Sequence, residues 1–160
     1  MRAWPEPVER VAAALRDARV ETRIEEFPEG TPTAQAAADA VGSGLDQIVK
    51  TLVFRSERGW VVALVPGDRR ADREKIARAA GHERVKVAGP DEVVEATGFA
   101  AGGIAPFPLP SVEVVLVDRR LLVHRVVWVG AGTERHMACL APPELVRLAR
   151  AREADVSVES

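Results

Sequence analysis

Apolar residues recur at helical spacing at Val8, Val11, Ala12 and Leu15, behind Pro5, a residue suited to the first turn of a helix. The spacing predicts an amphipathic helix that continues to about Arg19. Residues 20–27 alternate in part and read as an edge strand, closed by a loop at Pro28, Gly30 and Pro32. Thr33 is placed to cap an alanine-rich helix that ends near Gly42. Two runs rich in β-branched residues follow, QIVKTLVF and WVVALV, with a turn at residues 56–59 between them. Their continuous apolar character predicts a hairpin buried on both faces.

Helical spacing returns over residues 72–80, stopped by Gly81, and over residues 90–97, stopped by Gly98. The Gly/Pro-rich stretch GFAAGGIAPFPLP then breaks the pattern. Three apolar runs at residues 112–117, 123–129 and 136–140 predict strands, and Pro142 and Pro143 open a last helix that buries Leu145, Val146, Leu148 and Ala149. The tail after Arg152 carries no such pattern and is expected to fray. Helices and strands mix without regular βαβ alternation, and neighbouring strands are close enough to form hairpins. The expected architecture is therefore α+β: a central mixed, largely antiparallel sheet flanked by helices. No Rossmann or Walker pattern occurs, and no internal repeat or linker divides the chain.

Length and composition narrow this picture. The 160 residues predict one domain over 1–160, and 47% apolar with 29% charged residues suits a packed core. A formal charge of −2 argues against coating long stretches of nucleic acid and leaves only a local basic surface for such contact. The single cysteine, Cys139, has no intrachain partner, and three histidines do not make a Cys/His zinc cluster. A reducing cytoplasm is the expected compartment. The charged N-terminal segment does not read as a secretory signal, and no segment is expected to cross a membrane. Arginine outnumbers lysine 19 to three, so each lysine is a residue to account for.

Lys50 is the most conspicuous of the three. At a strand period of two it shares its face with Ile48, Leu52 and Phe54. An ammonium there has to reach solvent, pair, or bind an anion, because isolated burial is costly. Lys75 and Lys86 lie among other charges and read as solvated. Residues Gly102 to Pro106 form a GxxxP loop with little side-chain cover, able to present backbone groups to a ligand or to act as an ordinary connection. His136 follows the turn Gly130-Ala131-Gly132-Thr133 and stands at the start of a strand. Cys139 reads as core packing, and no serine has a nucleophile-elbow context.

These features occur in a recognisable order: TAQAAADAVG, then IVKTLVF, a strand and a helix, TGFAAGGIAPF, a Gly-rich turn, and LAPPELVRLA. The arrangement, from about Thr33 to Ala149, resembles the YbaK family of aminoacyl-tRNA deacylases, relatives of the editing domain of bacterial prolyl-tRNA synthetases. The resemblance implies a free-standing hydrolase of the ester between a wrong amino acid and the tRNA 3′ end. It points to tRNA-Pro carrying alanine or cysteine, with prolyl-tRNA synthetase as a possible partner. It also implies no metal and no organic cofactor. The family's essential lysine falls on Lys50, and its catalytic loop on Gly102, Gly103, Ile104, Ala105 and Pro106. Thr51, Phe99, Gly132, Thr133 and His136 are the implied substrate contacts. Ala105 stands where many members carry serine, and GAGTERH replaces the basic turn of the cysteine-specific branch. A non-catalytic module that binds tRNA ends or a synthetase is the alternative from another class. For the tRNA backbone the candidate clusters are Arg69, Arg70 and Arg73, or Arg119, Arg120 and Arg125.

Overall fold

The computed structural model describes residues 4–160. Helix α1 (Glu6–Asp17) buries Val8, Val11, Ala12 and Leu15, the stripe predicted from spacing. After it come β1 (Ile24–Glu26) and α2 (Ala34–Val41). The Thr33 hydroxyl accepts from Ala36 N at 3.0 Å and caps α2, which ends at Gly42 in the left-handed conformation with φ 71°. The predicted hairpin is β2 (Val49–Ser56) and β3 (Gly59–Pro66), paired antiparallel along their whole length. Next are β4 (Arg69–Ala71), α3 (Arg73–Ala80), β5 (Lys86–Val87) and α4 (Pro90–Thr97). The chain continues through β6 (Val114–Asp118), β7 (Val127–Gly130), β8 (His136–Leu140) and α5 (Pro142–Ala149), and closes with β9 (Arg152–Ala154) and β10 (Ser157–Glu159).

The main sheet has the order β5-β2-β3-β6-β9 and is mixed: β2 runs antiparallel to β3 and β5, while β6 runs parallel to β3 and β9. Two smaller sheets, β1-β8-β7 and β10-β4, are antiparallel throughout. Both faces of the main sheet are covered. On one, Val53, Val62, Leu64 and Val117 pack with Val11 and Leu15 of α1, Ala96 of α4 and Leu145 of α5. On the other, Phe54, Val61, Val65 and Leu116 pack with Ile76 and Ala77 of α3. This two-sided burial is why β3 reads as an unbroken apolar run. A bridge between Ile48 and Trp128 joins the start of β2 to the smaller sheet, so the two sheets part at residues 48–52. Among the described residues no helix is long and apolar enough to cross a membrane.

Two expectations fail. The run at 123–129 is a strand only from Val127, because Asp118 caps a 3-10 turn over Arg119–Val123 by accepting from Arg120 N at 2.9 Å, and Val123 is left exposed. The C-terminal tail does not fray. β9 extends the main sheet beside β6, β10 pairs with β4, and Val156 is buried against Phe54 and Ile76. Lys75, expected to be solvated, donates from Nζ to Asp155 Oδ2 at 2.9 Å and to Ser157 O at 3.0 Å. Arg120 reaches the other Asp155 oxygen at 2.9 Å.

Hydrogen bonds from Lys75 and Arg120 hold the Asp155 carboxyl down to about 2, against an ordinary 3.8. A carboxyl depressed by folding stabilises the native state above its unfolded value, and that contribution is lost as pH falls from 3.8 to about 2. The pair is partly exposed, so its worth is about 1 kcal/mol or less, equivalent to about 2–4 °C. Asp155→Asn is therefore expected to melt a few degrees below the wild type at pH 6, with the gap closing as the solution is acidified. Thermal unfolding at pH 6, 4 and 2.5 measures it, and a gap independent of pH would refute the ion-pair account.

Candidate functional site

Where the two sheets part, a cleft of about 290 Å³ opens between the N-terminal end of α2, the start of β2, the loop 101–104 and the β7–β8 turn. That volume is at the lower end for small-molecule pockets, enough for the reactive end of a substrate and not for a whole nucleotide. Lys50 and Thr51 border it from β2, Gly102, Gly103 and Ile104 from the loop, and Thr133 and His136 from the turn. Seven of the residues expected from sequence are thus brought together from three separate stretches of chain.

The Lys50 ammonium is half-buried and donates to the carbonyl of Arg69. Burial lowers its proton affinity below that of an ordinary lysine, and the Asp68 carboxylate offsets part of that effect. The Thr51 hydroxyl is shielded from solvent and has no hydrogen-bond partner within the described structure. An orphaned hydroxyl on a cleft wall is a polar group that a ligand can satisfy. His136 is 4% exposed at the first position of β8; its Nδ1 shares a 2.5 Å hydrogen bond with Thr133 Oγ1, and Trp4 lies edge-on to the ring at 5.5 Å. The imidazole is therefore fixed in orientation by the turn that precedes it.

The loop is positioned from both ends. α4 terminates at Gly98, and Thr97 Oγ1 accepts from Phe99 N at 3.0 Å, turning the chain toward the cleft. Downstream, Ala105, Pro106 and Phe107 are buried and anchor the loop in the core. Between these anchors the loop packs backbone against backbone on the β7–β8 turn. A Cβ on Gly103 would lie 2.5 Å from Thr133 Cα, and one on Gly130 would lie 2.7 Å from the carbonyl oxygen of Ile104.

The remaining four expected residues do not line the cleft. Phe99 is fully buried, with the Arg10 guanidinium 4.6 Å over its ring. Ala105 and Pro106 face the core, as the loop's anchor requires, and Gly132 is packed against Pro7. Four lining residues, Thr31, Ala37, Glu134 and Met137, were not singled out from sequence. Nothing in their local pattern separates them from ordinary turn and helix positions. Of the two arginine clusters, the first is beside the site: Arg70 and Arg73 border an adjoining hollow of about 450 Å³ that also reaches Lys50, Thr51 and Ile104. In the second, Arg120 is committed to Asp118 and Asp155.

Other reactive groups are accounted for elsewhere. Cys139 is half-buried, and burial together with Glu25 and Glu144 pushes its thiol up, away from the reactive thiolate. The His82 ring bonds Ser56 Oγ at 2.8 Å, and that hydroxyl closes the β2–β3 turn through Gly59 O and Arg58 N. Among the described residues no three His, Cys, Asp or Glu side chains gather to hold a metal ion.

Comparison with known proteins bears on the same cleft. Residues 28–148 match the aminoacyl-tRNA editing domain family. YwhH of Bacillus subtilis, an uncharacterized protein, is 32% identical over 126 residues, 78% of this chain and 80% of that one. EbsC of Enterococcus faecalis, named as a candidate Cys-tRNA(Pro)/Cys-tRNA(Cys) deacylase, is 26% identical over 79% of this chain and 78% of its own. A crystal structure described as a candidate trans-editing enzyme for prolyl tRNA synthetase superposes with a TM-score of 0.90 at 37% identity, covering 98% of this chain and 99% of the other. Proline--tRNA ligases also match, the chain spanning 14% to 20% of their length.

The two loop glycines are expected to differ in their tolerance of a side chain. Gly103→Ala forces backbone apart and is expected to cost about 1–3 kcal/mol. Gly102→Ala meets only the mobile Glu134 carboxylate, 3.3 Å away, and is expected to change stability by less than about 0.5 kcal/mol. Urea unfolding of the two variants measures the difference, and equal midpoints would refute the close packing of loop on turn.

Proposed function

This chain belongs to the aminoacyl-tRNA editing domain family, and we propose that it is a trans-editing hydrolase that cleaves the ester of mischarged tRNA-Pro carrying alanine or cysteine. The observation that carries the reading is the Lys50 ammonium, half-buried on an apolar strand face and bordering the same cleft as the glycine loop. A charge in that setting is costly unless a ligand uses it.

Hydrolysis adds a water oxygen to the aminoacyl carbonyl carbon and breaks the bond to the terminal ribose oxygen, which takes up a proton. Lys50 holds the negatively polarised end of the terminal adenosine, its phosphate or the ester oxygen, and the low-dielectric wall strengthens that contact. The backbone of Gly102 to Ile104 orients the ribose hydroxyl and the attacking water. The unpartnered Thr51 hydroxyl offers the ester a further hydrogen bond. His136, held by Thr133, borders the space left for the amino-acid side chain. The cleft's small volume suits alanine or cysteine. The names of EbsC and of the structural relative support tRNA-Pro as substrate and prolyl-tRNA synthetase as the associated enzyme. Arg70 and Arg73 are suited to the acceptor-stem phosphates beside the CCA end.

A deacylation panel over Ala-, Cys-, Ser-, Thr- and Pro-charged tRNAs tests the activity. Release of alanine or cysteine from tRNA-Pro with proline spared is expected, whereas tight tRNA binding with no release from any substrate would establish the binding module instead. Lys50→Ala is expected to keep the fold and lose at least about 100-fold in turnover. Lys50→Arg is also expected to be impaired, because a planar guanidinium does not replace a compact ammonium. Full activity in folded Lys50→Ala overturns the site.

The partner surface has its own test. Arg70→Ala/Arg73→Ala is expected to weaken binding of full-length tRNA and to reduce the slope of log affinity against log salt by about 2, in step with the phosphates released. Hydrolysis of a minimal aminoacyl-adenosine is expected to survive. An unchanged slope would remove these arginines from the interface.

A further inference from the structure

The C-terminal strand reaches the site through a chain of hydrogen bonds. The Lys50 ammonium rests on the carbonyl of Arg69, the first residue of β4. On the inner side, Gly67 N donates to Ile48 O at 2.8 Å and ties the preceding turn to β2. On the outer side, β4 is hydrogen-bonded as a strand to β10 alone. The Arg69 side chain is gripped there as well: its Nε donates to Ser157 Oγ at 2.7 Å and its Nη2 to Ser157 O at 3.2 Å.

Ser157 is fully buried and its hydroxyl donates onward to Asp118 Oδ2 at 2.8 Å. Asp118, also fully buried, ends β6 in the main sheet and accepts from Val156 N at 3.1 Å on the same oxygen. One hydroxyl therefore links a rigid carboxylate of the main sheet to the residue whose carbonyl holds the lysine. Asp118 and Ser157 are polar groups at full burial whose hydrogen bonds satisfy one another, a costly arrangement to retain when an apolar pair could fill the same space.

We propose that Ser157 is a positioning residue of the Lys50 site, acting through Arg69, so that the C-terminal strand sets where the ammonium stands in the cleft. This rests on the reading of Lys50 as the group that meets the substrate. Loss of the hydroxyl frees the Arg69 side chain, loosens β4 from β10, and lets the carbonyl under Lys50 shift. A small displacement of a positioned group is enough to slow the chemical step while leaving binding intact.

The test uses the full chain and single-turnover deacylation of the substrate identified by the panel. Ser157→Ala is expected to remain folded, to lose about 10-fold in kcat, and to keep KM within about twofold. Ser157→Thr, which restores a hydroxyl, is expected to recover the rate. The chain has three lysines, so ¹⁵N-lysine spectra resolve the side-chain ammonium of Lys50, identified by its loss in Lys50→Arg. That signal is expected to shift or broaden in Ser157→Ala, with the Lys86 signal unchanged. Asp155→Asn loosens the same tail without touching the Ser157–Arg69 contact and is expected to lower Tm with no change in kcat or in the Lys50 signal.

A folded Ser157→Ala protein with wild-type kcat and an unshifted Lys50 signal overturns the proposal. So does an Asp155→Asn protein that loses as much activity as Ser157→Ala, since the tail's role is then structural. If Ser157→Ala does not fold, Arg69→Gln carries the same expectations and the same overturning result. Lys50→Ala in the same assay separates the two levels. Full activity there rejects the site itself, whereas an inactive Lys50→Ala beside a normal Ser157→Ala rejects only the positioning role.

Discussion

An ammonium drawn partly out of water on an apolar strand face needs a fixed partner, and the architecture around β2 is arranged to supply one. Phe54 and Leu52 on the face of Lys50 pack into the layer covered by α3, so the lysine cannot simply lie along a wet surface. Its partner is the carbonyl of Arg69, on a three-residue strand that has no place in the main sheet. That strand is secured from outside, by the C-terminal strand and the buried pair Ser157 and Asp118. Burial alone would push the Asp118 carboxyl up; donation from Arg120 N, Ser157 Oγ, Val156 N and the Arg120 guanidinium more than reverses this and holds it below the ordinary range. The charged end of the network is thus stable as a carboxylate at neutral pH.

The opposite wall of the cleft obeys a different constraint, the close approach of two backbones. Gly103 and Gly130 let the loop and the β7–β8 turn meet with no intervening Cβ, and the buried run Ala105, Pro106 and Phe107 pulls the loop down from behind. The residues of the GxxxP pattern therefore divide their work: Gly102, Gly103 and Ile104 border the cleft, and Ala105 and Pro106 hold them there. A serine at position 105 would face the core in this chain, so the alanine found there fits the burial of that side chain.

The editing-domain family and the geometry meet at one feature, a small cleft with a positive charge on one side and backbone on the other. An arginine surface adjoins it and acidic residues lie close by, Asp68 beside Lys50 and Glu134 on the rim. The net charge of the chain is slightly negative, so attraction for an RNA end has to be local to this face.

Much of the fold was legible in the order of residues because local physics decides it. Helical spacing, Thr33 and Asp72 at helix starts, Gly42, Gly81 and Gly98 at helix ends, and the apolar hairpin each act within a few residues of themselves. Lys50, the loop and His136 were visible as departures from those patterns: a charge on an apolar face, an uncovered backbone, a histidine opening a strand. The fate of the tail was not visible, since Asp155, Val156 and Ser157 acquire meaning only from Lys75, Arg120 and Asp118, 35 to 80 positions away. Nor could sequence show which residues line the cleft and which support it, because Phe99, Ala105 and Gly132 differ from Thr133 and His136 only in the direction the folded backbone turns them. Local propensity is written in neighbouring residues, whereas orientation and long-range pairing exist only once the sheets have closed on one another.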